Sequence, residues 1–563
     1  MKVVIVGGVA GGASAAARLR RLDENAEIVI FERSGYISYA NCGLPYYVGG
    51  SITDPEELTL QTPGSFKGRF NTRVHVSHEV TAIDPENKRV TVRELESGRE
   101  FFESYDKLIL SPGAKAVIPD VPGVELPGIM SLRTVEDTFR IKDYIGQVSP
   151  RSAVVVGGGY IGLEMAENLR ELGLEVSIVQ RPAQLLKTVD ADMASFVHAK
   201  LRAEGIRLHL GASLEGFEKN GEDIEVLLSG GERIKTQLVL LAVGVQPENS
   251  LAKSAGLELG IKGSIIVNER MESSVKDIYA VGDAVQVRHF VSWQNALISL
   301  AGPANRQGRI AADNICGIDS SYKGTQGSAI IKLFDLCAAS TGLTEAQAKQ
   351  AGLEYEKLVL SPSSHAGYYP GGRVMTLKLI YEKGSLRLLG AQIIGGEGVD
   401  KRIDVLATAM RAGLQVTALA ELELAYAPPF SSAKDPVNLA GFMAENIERG
   451  LVKQFHWHDI PALRCDTGAQ LLDTRTDGEY ARGHAEGFMH IPLHKLRGRL
   501  EELDRSKRIY VMCQSGLRSY IACRILSQNG FDCYNFSGGY RFYNSVNSER
   551  QQAQRARDCG IEL

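Results

Sequence analysis

A strand, a glycine-rich loop and a helix follow one another twice in this chain, and this repeated pattern constrains the fold more than any other feature. In the first copy the apolar strand 2–6 leads into the loop 7–12 and then into a helical stretch over 14–22. In the second copy the strand 153–156 leads into the loop 157–162 and a further helix. A second strand follows each helix, so each copy is a βαβ unit. Two such units predict an α/β protein with two Rossmann-like dinucleotide-binding domains.

The first loop has most of the glycines that a dinucleotide requires. Glycine is needed where the strand turns, where the pyrophosphate lies against the backbone and where the helix packs on the sheet. Gly7 and Gly12 occupy the first and third of these positions, and Val9 occupies the middle one. Glu32 follows Gly12 by about 20 residues, the distance at which a carboxylate accepts both ribose hydroxyls, and Arg33 stands beside it. We predict that these five residues bind the first dinucleotide.

The second loop has glycine at all three positions: Gly157, Gly159 and Gly162. The residue at the ribose position is Gln180, and Arg181 follows it. An amide bonds a ribose hydroxyl, whereas an arginine would meet the 2′-phosphate of NADPH. Because only one basic residue is present we favour NADH, and NADPH stays open.

Two dinucleotide sites in one chain imply that a nicotinamide passes hydride to a flavin. Asp283 follows an apolar run and Gly282, where its carboxylate would bond the ribityl chain of the flavin. Gly113 lies in the turn after the stretch 105–110. With the first glycine loop, these residues resemble the two-dinucleotide-fold flavoprotein disulfide reductases over about residues 1–450. The resemblance implies FAD and NADH or NADPH as cofactors, and an α+β dimerisation domain that builds a homodimer.

Composition excludes several other classes of protein. The 63 Lys and Arg stand against 67 Asp and Glu, a formal net charge of −4, so no broad basic surface is expected to bind nucleic acid or an anionic membrane. No apolar run is long enough to span a bilayer, and strand 2–6 follows Met1 too closely for a signal peptide. We therefore expect a cytoplasmic protein. Eight cysteines without Cys-x-x-Cys spacing predict neither a disulfide scaffold nor a metal site.

Cys42 is the predicted redox residue. Ser38 and Asn41 precede it, and Tyr47 stands where most members of the resembled family have a second cysteine. Without a neighbouring cysteine, Cys42 must store electrons as a mixed disulfide with a small thiol, as a persulfide or as a sulfenate. The pattern resembles the single-cysteine branch of the family, which comprises coenzyme A disulfide reductase, NADH oxidase and NADH peroxidase. On this resemblance Ser38 and Asn41 contact the substrate.

Several basic and amide side chains favour the coenzyme A member of that branch. The positions that match sites for coenzyme A or flavin in the resembled family are Arg18, Arg21, Asn305, Arg306 and Lys434. A peroxidase would be expected to carry a histidine on the first helix, and none stands before Val74. The resemblance therefore implies coenzyme A as a substrate and counts against peroxide as the main oxidant.

Three tyrosines in the third domain resemble the residues that the family supplies across the dimer to the substrate sulfur. They are Tyr368, Tyr369 and Tyr426. A phenol at that place donates a hydrogen bond or a proton to a leaving thiolate. We favour Tyr368 over Tyr369 as the acting residue, together with Tyr426.

A second nucleophile is predicted near the C-terminus. The strand 509–512 leads into a loop from Cys513 to Arg518, and a helix over 519–526 follows. Converging backbone amides, the helix dipole and Arg518 favour the Cys513 thiolate. Four residues separate Cys513 from Arg518, a ring that suits a persulfide sulfur better than a phosphate. Over about residues 463–545 this loop and its surroundings resemble the rhodanese family.

These motifs predict a chain of four domains. The expected boundaries are 1–114 and 245–325 for the FAD-binding domain, 115–244 for the NAD(P)H-binding domain, 326–450 for the α+β dimerisation domain, 451–462 for a linker and 463–563 for an α/β rhodanese domain. The remaining cysteines are expected to be structural.

The predicted function follows from the pairing of a lone redox cysteine with a sulfur-carrying loop. We expect an NAD(P)H-dependent reductase of coenzyme A persulfide or polysulfide that releases hydrosulfide, to which the rhodanese domain supplies sulfane sulfur. A plain coenzyme A disulfide reductase is the first alternative. An NADH oxidase and a non-enzymatic redox sensor or sulfur carrier are further alternatives.

Overall fold

The computed structural model describes residues 1–558. Helices and strands alternate through most of this range, and the chain divides into two compact units. Met1–Ala183 and Gly205–Gly327 form the first unit, whereas Gln184–Glu204 joins the residues from Ser328 onward in the second. Among the helices of residues 1–558, none combines the length and the apolar character that crossing a bilayer requires.

A parallel five-stranded sheet forms one half of the first unit. In spatial order its strands are Ile278–Ala280, Lys107–Leu110, Lys2–Val6, Glu27–Phe31 and Arg73–His75. Val3, Val4 and Ile5 are completely buried, as expected for a parallel sheet that is covered on both faces. Helix Ala10–Leu22 begins at the glycine loop, earlier than predicted, and packs against helix Ala301–Ile315.

A second parallel five-stranded sheet forms the other half of this unit. Its strands, in spatial order, are Ile129–Ser131, Leu238–Leu241, Ser152–Val156, Glu175–Gln180 and Arg207–Leu210. Helix Tyr160–Glu171 connects the strands Ser152–Val156 and Glu175–Gln180 and starts at the second glycine loop. The two predicted dinucleotide folds are therefore confirmed.

Shorter elements complete the first unit. Its other helices are Leu44–Val48, Pro63–Phe70, Val135–Val148 and Ser250–Ser254. Its other strands are Ile37–Tyr39, Thr59–Gln61, His78–Asp84, Arg89–Glu94, Glu100–Ser104, Ala114–Ala116, Leu214–Asn220, Asp223–Leu228, Arg233–Thr236, Val245–Pro247, Ile265–Ile266, Val285–Arg288 and Asn295–Ala296.

The second unit begins with an antiparallel sheet and helices, which confirms the predicted α+β domain. The strands in spatial order are Ala329–Leu333, Leu336–Gly342, Leu388–Gly395, Thr376–Glu382 and Tyr355–Leu360. The helices are Glu345–Gln350, Val399–Arg411 and Pro436–Glu448, and helix Ala191–Ala203 joins them from earlier in the chain.

The C-terminal part of the second unit is a parallel sheet with helices, as predicted. Its strands are Lys453–Phe455, Cys533–Phe536, Arg508–Met512, Ala469–Asp473 and Met489–His490 in spatial order. Its helices are Ile460–Leu463, Asp477–Ala481, Leu493–Leu496, Leu517–Gln528 and Gly539–Asp558. Residues 451–462 were expected to be a linker. They instead contain the edge strand Lys453–Phe455, which pairs with Cys533–Phe536, and the start of helix Ile460–Leu463.

Candidate active site

Glu32 closes the first glycine loop from the end of its neighbouring strand. The Gly8 N–H donates to Glu32 Oε2 at 2.8 Å, and the Ser34 N–H donates to Oε1 at 2.9 Å. Burial raises the pKa of Glu32, although these two hydrogen bonds and the charge of Arg33 oppose the rise. Arg33 is exposed, and its guanidinium lies 3.6 Å from Glu248.

The first loop has the shape that a dinucleotide pyrophosphate requires. Val9 is the N-cap of helix Ala10–Leu22 and makes no capping hydrogen bond through its side chain. The first amides of the helix are therefore not capped by a side chain, and an anion fits there. A Cβ at Gly12 would collide with the carbonyl oxygen of Gly7, so the helix and the strand approach closely only because this residue is glycine.

The second loop has the same construction with an amide in place of the carboxylate. The Gly158 N–H donates to Gln180 Oε1 at 2.9 Å, as Gly8 does to Glu32 in the first loop. Gly159 is the N-cap residue of helix Tyr160–Glu171, and no side chain caps the first amides of this helix. A Cβ placed on Gly159 would meet no atom within 4 Å. This open space beside the helix N-terminus fits a second pyrophosphate.

Asp283 and Gly113 lie together beside the first sheet. Arg133 Nη2 donates to Asp283 Oδ2 at 2.8 Å, and its Nε donates to the Ala114 carbonyl, the residue after Gly113. The Gly282 N–H donates to Gln307 Oε1 at 2.7 Å, and the Gln307 side chain is buried. Neither Arg133 nor Gln307 was predicted from the sequence: Arg133 belongs to no motif, and Gln307 follows the predicted residues Asn305 and Arg306 without a signal of its own.

Cys42 lies in the short turn Asn41–Gly43, between strand Ile37–Tyr39 and helix Leu44–Val48. It is exposed and is a free thiol. Desolvation of the sulfur is the main cause that raises the pKa of Cys42; the charge of Glu164 adds to it and Arg133 opposes it. Asn41 shares the turn, and Ser38 precedes it in the left-handed region with φ of 50°.

The residues predicted to bind coenzyme A differ in whether their side chains are paired with other residues or exposed to solvent. Arg18 donates through Nε to Asp313 Oδ1 at 2.6 Å, so its charge is already paired. The Ser14 hydroxyl donates to Asn305 Oδ1 at 2.8 Å. Arg21 and Arg306 are exposed on the helices Ala10–Leu22 and Ala301–Ile315. Lys434 is exposed in the second unit.

The structure distinguishes the two neighbouring tyrosines. The hydroxyl groups of Tyr368 and Tyr426 lie 2.9 Å apart, and this hydrogen bond raises the pKa of Tyr426. Tyr369 instead packs edge-on against His365, with 5.6 Å between the ring centroids. Tyr368 is 75% exposed, so its phenol is presented to solvent.

Cys513 lies at the carboxyl end of strand Arg508–Met512 and is completely buried. The Gly516 N–H donates to its Sγ at 3.1 Å, and the Ser519 hydroxyl donates to the same sulfur at 3.2 Å. The Tyr540 N–H donates to the Cys513 carbonyl at 2.7 Å. Sequence analysis missed Ser519, although its place in the first turn of the following helix was a usable signal.

Arg518 was predicted to complete the cage around Cys513, and the structure pairs its guanidinium with Glu479. The two Nη atoms each donate to a Glu479 oxygen at 2.7 Å. The hydrogen bonds from Arg518 lower the pKa of Glu479 to about 2. Glu479 also occupies the third position of helix Asp477–Ala481, where it closes a capping box with Thr476. The Thr-x-x-Glu spacing predicts that capping role but not the partnership with Arg518.

The other cysteines differ in exposure. Cys523 and Cys533 are buried, Cys316 and Cys337 are half-buried, and Cys465 is exposed. Cys465, which was expected to be structural like the others, is thus accessible to solvent. Cys559 lies outside the described residues.

Comparison with known protein families identifies the class. The model of the pyridine nucleotide-disulphide oxidoreductases matches residues 1–307, and the dimerisation domain of the same family matches 328–436. A rhodanese-like domain matches residues 459–545. The chain therefore belongs to the pyridine nucleotide-disulphide oxidoreductases and ends in a rhodanese-like domain, which confirms the resemblance inferred from the sequence. It is an oxidoreductase, and FAD and NAD(P)H are the cofactors of its family.

Three individual proteins are similar to this chain over most of its length. The coenzyme A disulfide reductase of Staphylococcus aureus (strain JH9) is 38% identical over 445 residues, which is 79% of this chain and all of that protein. The crystal structure of reduced Bacillus anthracis CoADR-RHD is 48% identical with a TM-score of 0.95, and the match covers 98% of each chain. A NAD-dependent persulfide reductase from A. fulgidus is 36% identical with a TM-score of 0.91, over 96% of this chain and all of that one.

Proposed function

We propose that this protein is an NAD(P)H-dependent reductase of coenzyme A persulfide, polysulfide or coenzyme A disulfide, to which its rhodanese domain supplies sulfane sulfur. The observation that carries the proposal is an exposed lone thiol, Cys42, in the unit that holds both dinucleotide folds. Cys316 is the other cysteine of that unit, and it lies half-buried at the end of helix Ala301–Ile315. An exposed lone thiol forms a mixed disulfide with a substrate rather than an internal one.

The proposed chemistry at Cys42 is a thiol–disulfide exchange. The Cys42 thiolate attacks the coenzyme-bound sulfur of the persulfide and forms a new S–S bond, and the old S–S bond breaks with its electron pair leaving as hydrosulfide. The family's cofactors supply two electrons from NAD(P)H through FAD. Uptake of those two electrons by the mixed disulfide would restore the Cys42 thiolate and release coenzyme A. Coenzyme A disulfide reacts in the same way and releases coenzyme A in the first step.

Arg21 and Arg306 are the proposed contacts for the coenzyme A phosphates. Both are exposed on helices that pack together, and Ser14 and Asn305 join these helices by a hydrogen bond. Arg18 has a supporting role, because its guanidinium pairs with Asp313. The coenzyme named in the S. aureus relative supports this assignment.

We also propose a homodimer formed through the second unit. The match to the family's dimerisation domain supports it. Five aromatic side chains of residues 326–450 are exposed: Tyr368, Tyr369, Tyr426, Phe430 and Phe442. Exposed apolar groups of this kind are typical of a protein interface. The hydrogen-bonded phenols of Tyr368 and Tyr426 would then donate to the substrate sulfur in the partner's site. A cytoplasmic location stays a prediction.

The substitution Cys42→Ser tests the proposal. Turnover of coenzyme A disulfide and coenzyme A persulfide should fall by at least about three orders of magnitude, because the nucleophile is lost. Reduction of the bound flavin by NADH, followed by stopped-flow absorbance, should continue. Cys316→Ser, the matched control in the same unit, should keep both activities.

Two results would contradict the proposal. Sulfur turnover that survives Cys42→Ser would exclude Cys42 as the nucleophile. Rapid NADH-dependent oxygen consumption without a sulfur substrate would instead identify an NADH oxidase.

A further inference from the structure

The turn that carries Cys42 is fixed against the helix that opens the second dinucleotide site. Helix Leu44–Val48 follows Cys42 and packs on helix Tyr160–Glu171. A Cβ at Gly49 would collide with the Asn168 side chain, so the two helices approach as closely as glycine allows. Side chains on Tyr160–Glu171 are therefore held close to the Cys42 turn.

Glu164 is the acidic side chain at this contact. The Tyr46 hydroxyl, one helical turn after Cys42, donates to Glu164 Oε1 at 3.4 Å. Glu167, the next acidic residue on the same helix, is only 7% exposed. The Glu164 carboxyl group therefore has the Tyr46 phenol as a hydrogen-bond donor and the buried Glu167 carboxyl group as an acidic neighbour.

Burial and two neighbouring side chains act on the ionisation of Glu164. Burial raises the pKa of Glu164 to about 7; the Tyr46 hydrogen bond lowers it and Glu167 raises it. After burial, the charge of Glu164 is the main cause that raises the pKa of Cys42. The smaller effect of Arg133 lowers this pKa, and that of Asp283 raises it. Glu164 and Cys42 therefore each disfavour the negative charge of the other.

We propose that Glu164 is a positioning residue whose carboxylate opposes ionisation of the Cys42 thiol, with Tyr46 holding its carboxyl group in place. The proposal rests on the proposed function of Cys42 as the nucleophile. While Glu164 is a carboxylic acid, it adds no charge that opposes the Cys42 thiolate. Once Glu164 ionises, a second negative charge close by becomes costly, so a smaller fraction of Cys42 is the thiolate at a given pH.

The test is the rate at which iodoacetamide alkylates Cys42 in the reduced, flavin-loaded enzyme between about pH 6 and pH 9. Only the thiolate reacts, and mass spectrometry of the Cys42 peptide gives the rate. In Glu164→Gln the rate should match the wild type near pH 6, where Glu164 is protonated, and exceed it about threefold near pH 8.5, where the wild-type carboxylate opposes the thiolate. Glu171→Gln, an exposed residue of the same helix, should follow the wild type throughout.

A second variant keeps the proposal testable if Glu164→Gln folds poorly. Tyr46→Phe keeps the ring but removes the hydrogen bond that favours the Glu164 carboxylate, so the slowing by Glu164 should begin at a higher pH than in the wild type. Tyr47→Phe on the same helix should not change the profile.

Identical profiles in the wild type and Glu164→Gln, or a shift that is equal at every pH, would overturn the proposal. Because alkylation reports the ionisation of Cys42 whatever substrate it reduces, failure here is distinct from failure of the proposed function. Loss of sulfur turnover in Cys42→Ser decides the latter.

Discussion

At the scale of single residues, one side-chain hydroxyl group donates a hydrogen bond to the sulfur of Cys513. Ser519 donates to Sγ at 3.2 Å from the first turn of helix Leu517–Gln528. Ser519→Ala should lower sulfur transfer from a sulfane donor to cyanide by about tenfold, since a hydrogen bond to a charged group contributes about 1.5–3 kcal/mol. Ser527→Ala, on the same helix, should leave the rate unchanged. An unaltered rate in Ser519→Ala would show that the hydroxyl does not act on the sulfur.

A second residue-scale effect concerns Lys378, which is completely buried. Its Nζ lies 2.9 Å from Asp190, 2.8 Å from Asp192 and 2.6 Å from Glu345. Desolvation opposes ionisation of Glu345, but the charges of Lys378 and Lys357 prevail and lower its pKa to about 2. The carboxylate therefore stabilises the fold above the ordinary glutamate pKa, and this contribution disappears as the pH falls towards 2.

Lys378→Met should accordingly lower the free energy of unfolding by roughly 3–5 kcal/mol at neutral pH, because it leaves buried carboxylates without their cation. Between about pH 5 and pH 2 the free energy of unfolding should also fall less in this variant than in the wild type. Urea unfolding followed by fluorescence checks both effects. The exposed Lys383→Met should behave like the wild type. Equal acid sensitivity in Lys378→Met would mean that other groups govern it.

The sequence predicted the positions of residues that belong to a contiguous motif. Cys513 and the second-loop glycines belong to contiguous motifs, so their placement could be read directly. The Lys378 cluster and the Arg518–Glu479 pair could not be predicted, because they join residues that are far apart in the chain. Only the folded sheets bring such side chains together.

At the scale of elements, the second glycine loop illustrates how one backbone contact controls a helix. A Cβ at Gly162 would collide with the Gly157 carbonyl oxygen, whereas a Cβ at Gly146, in helix Val135–Val148, meets no atom within 4 Å. Gly162→Ala should therefore destabilise the first unit and weaken NADH binding. Gly146→Ala should stabilise the protein by up to about 1 kcal/mol, since alanine is the better helix former.

Thermal unfolding and titration with NADH measure these two variants. A Gly162→Ala protein with wild-type stability and NADH affinity would contradict the proposed packing of the loop. Gly146→Ala also serves as the control for the glycine-to-alanine change itself.

Element boundaries show where sequence patterns are insufficient. Helix Ala191–Ala203 lies inside the predicted NAD(P)H-binding segment, yet it groups with the second unit. Ser195 contacts Ser545 at 2.7 Å, and Phe196 stacks on Phe542 with centroids 6.2 Å apart. The amphipathic pattern of the helix shows that one face is buried but does not identify helix Gly539–Asp558 as the element that covers it.

At the scale of the whole molecule, the two glycine loops and the Cys513 loop predicted the dinucleotide and rhodanese domains. The α+β domain between them lacks such a motif, and its dimerisation role was expected from the family resemblance.

The proposed function divides the work between two cysteines. Cys513→Ser should abolish turnover with donors that require sulfur transfer, while reduction of soluble coenzyme A disulfide should continue at the wild-type rate. Paired assays of NADH loss and sulfide release measure the two activities. Cys465→Ser, an exposed cysteine of the same domain, is the control. Equal loss of both activities in Cys513→Ser would refute the division.

Mass spectrometry of the oxidised enzyme after incubation with coenzyme A disulfide tests most directly whether Cys42 forms the mixed disulfide. We expect one coenzyme A per chain, attached to the Cys42 peptide through a disulfide and released when NADH is added anaerobically. Coenzyme A attached to a different cysteine, or Cys42 in a disulfide with another protein thiol, would contradict this expectation.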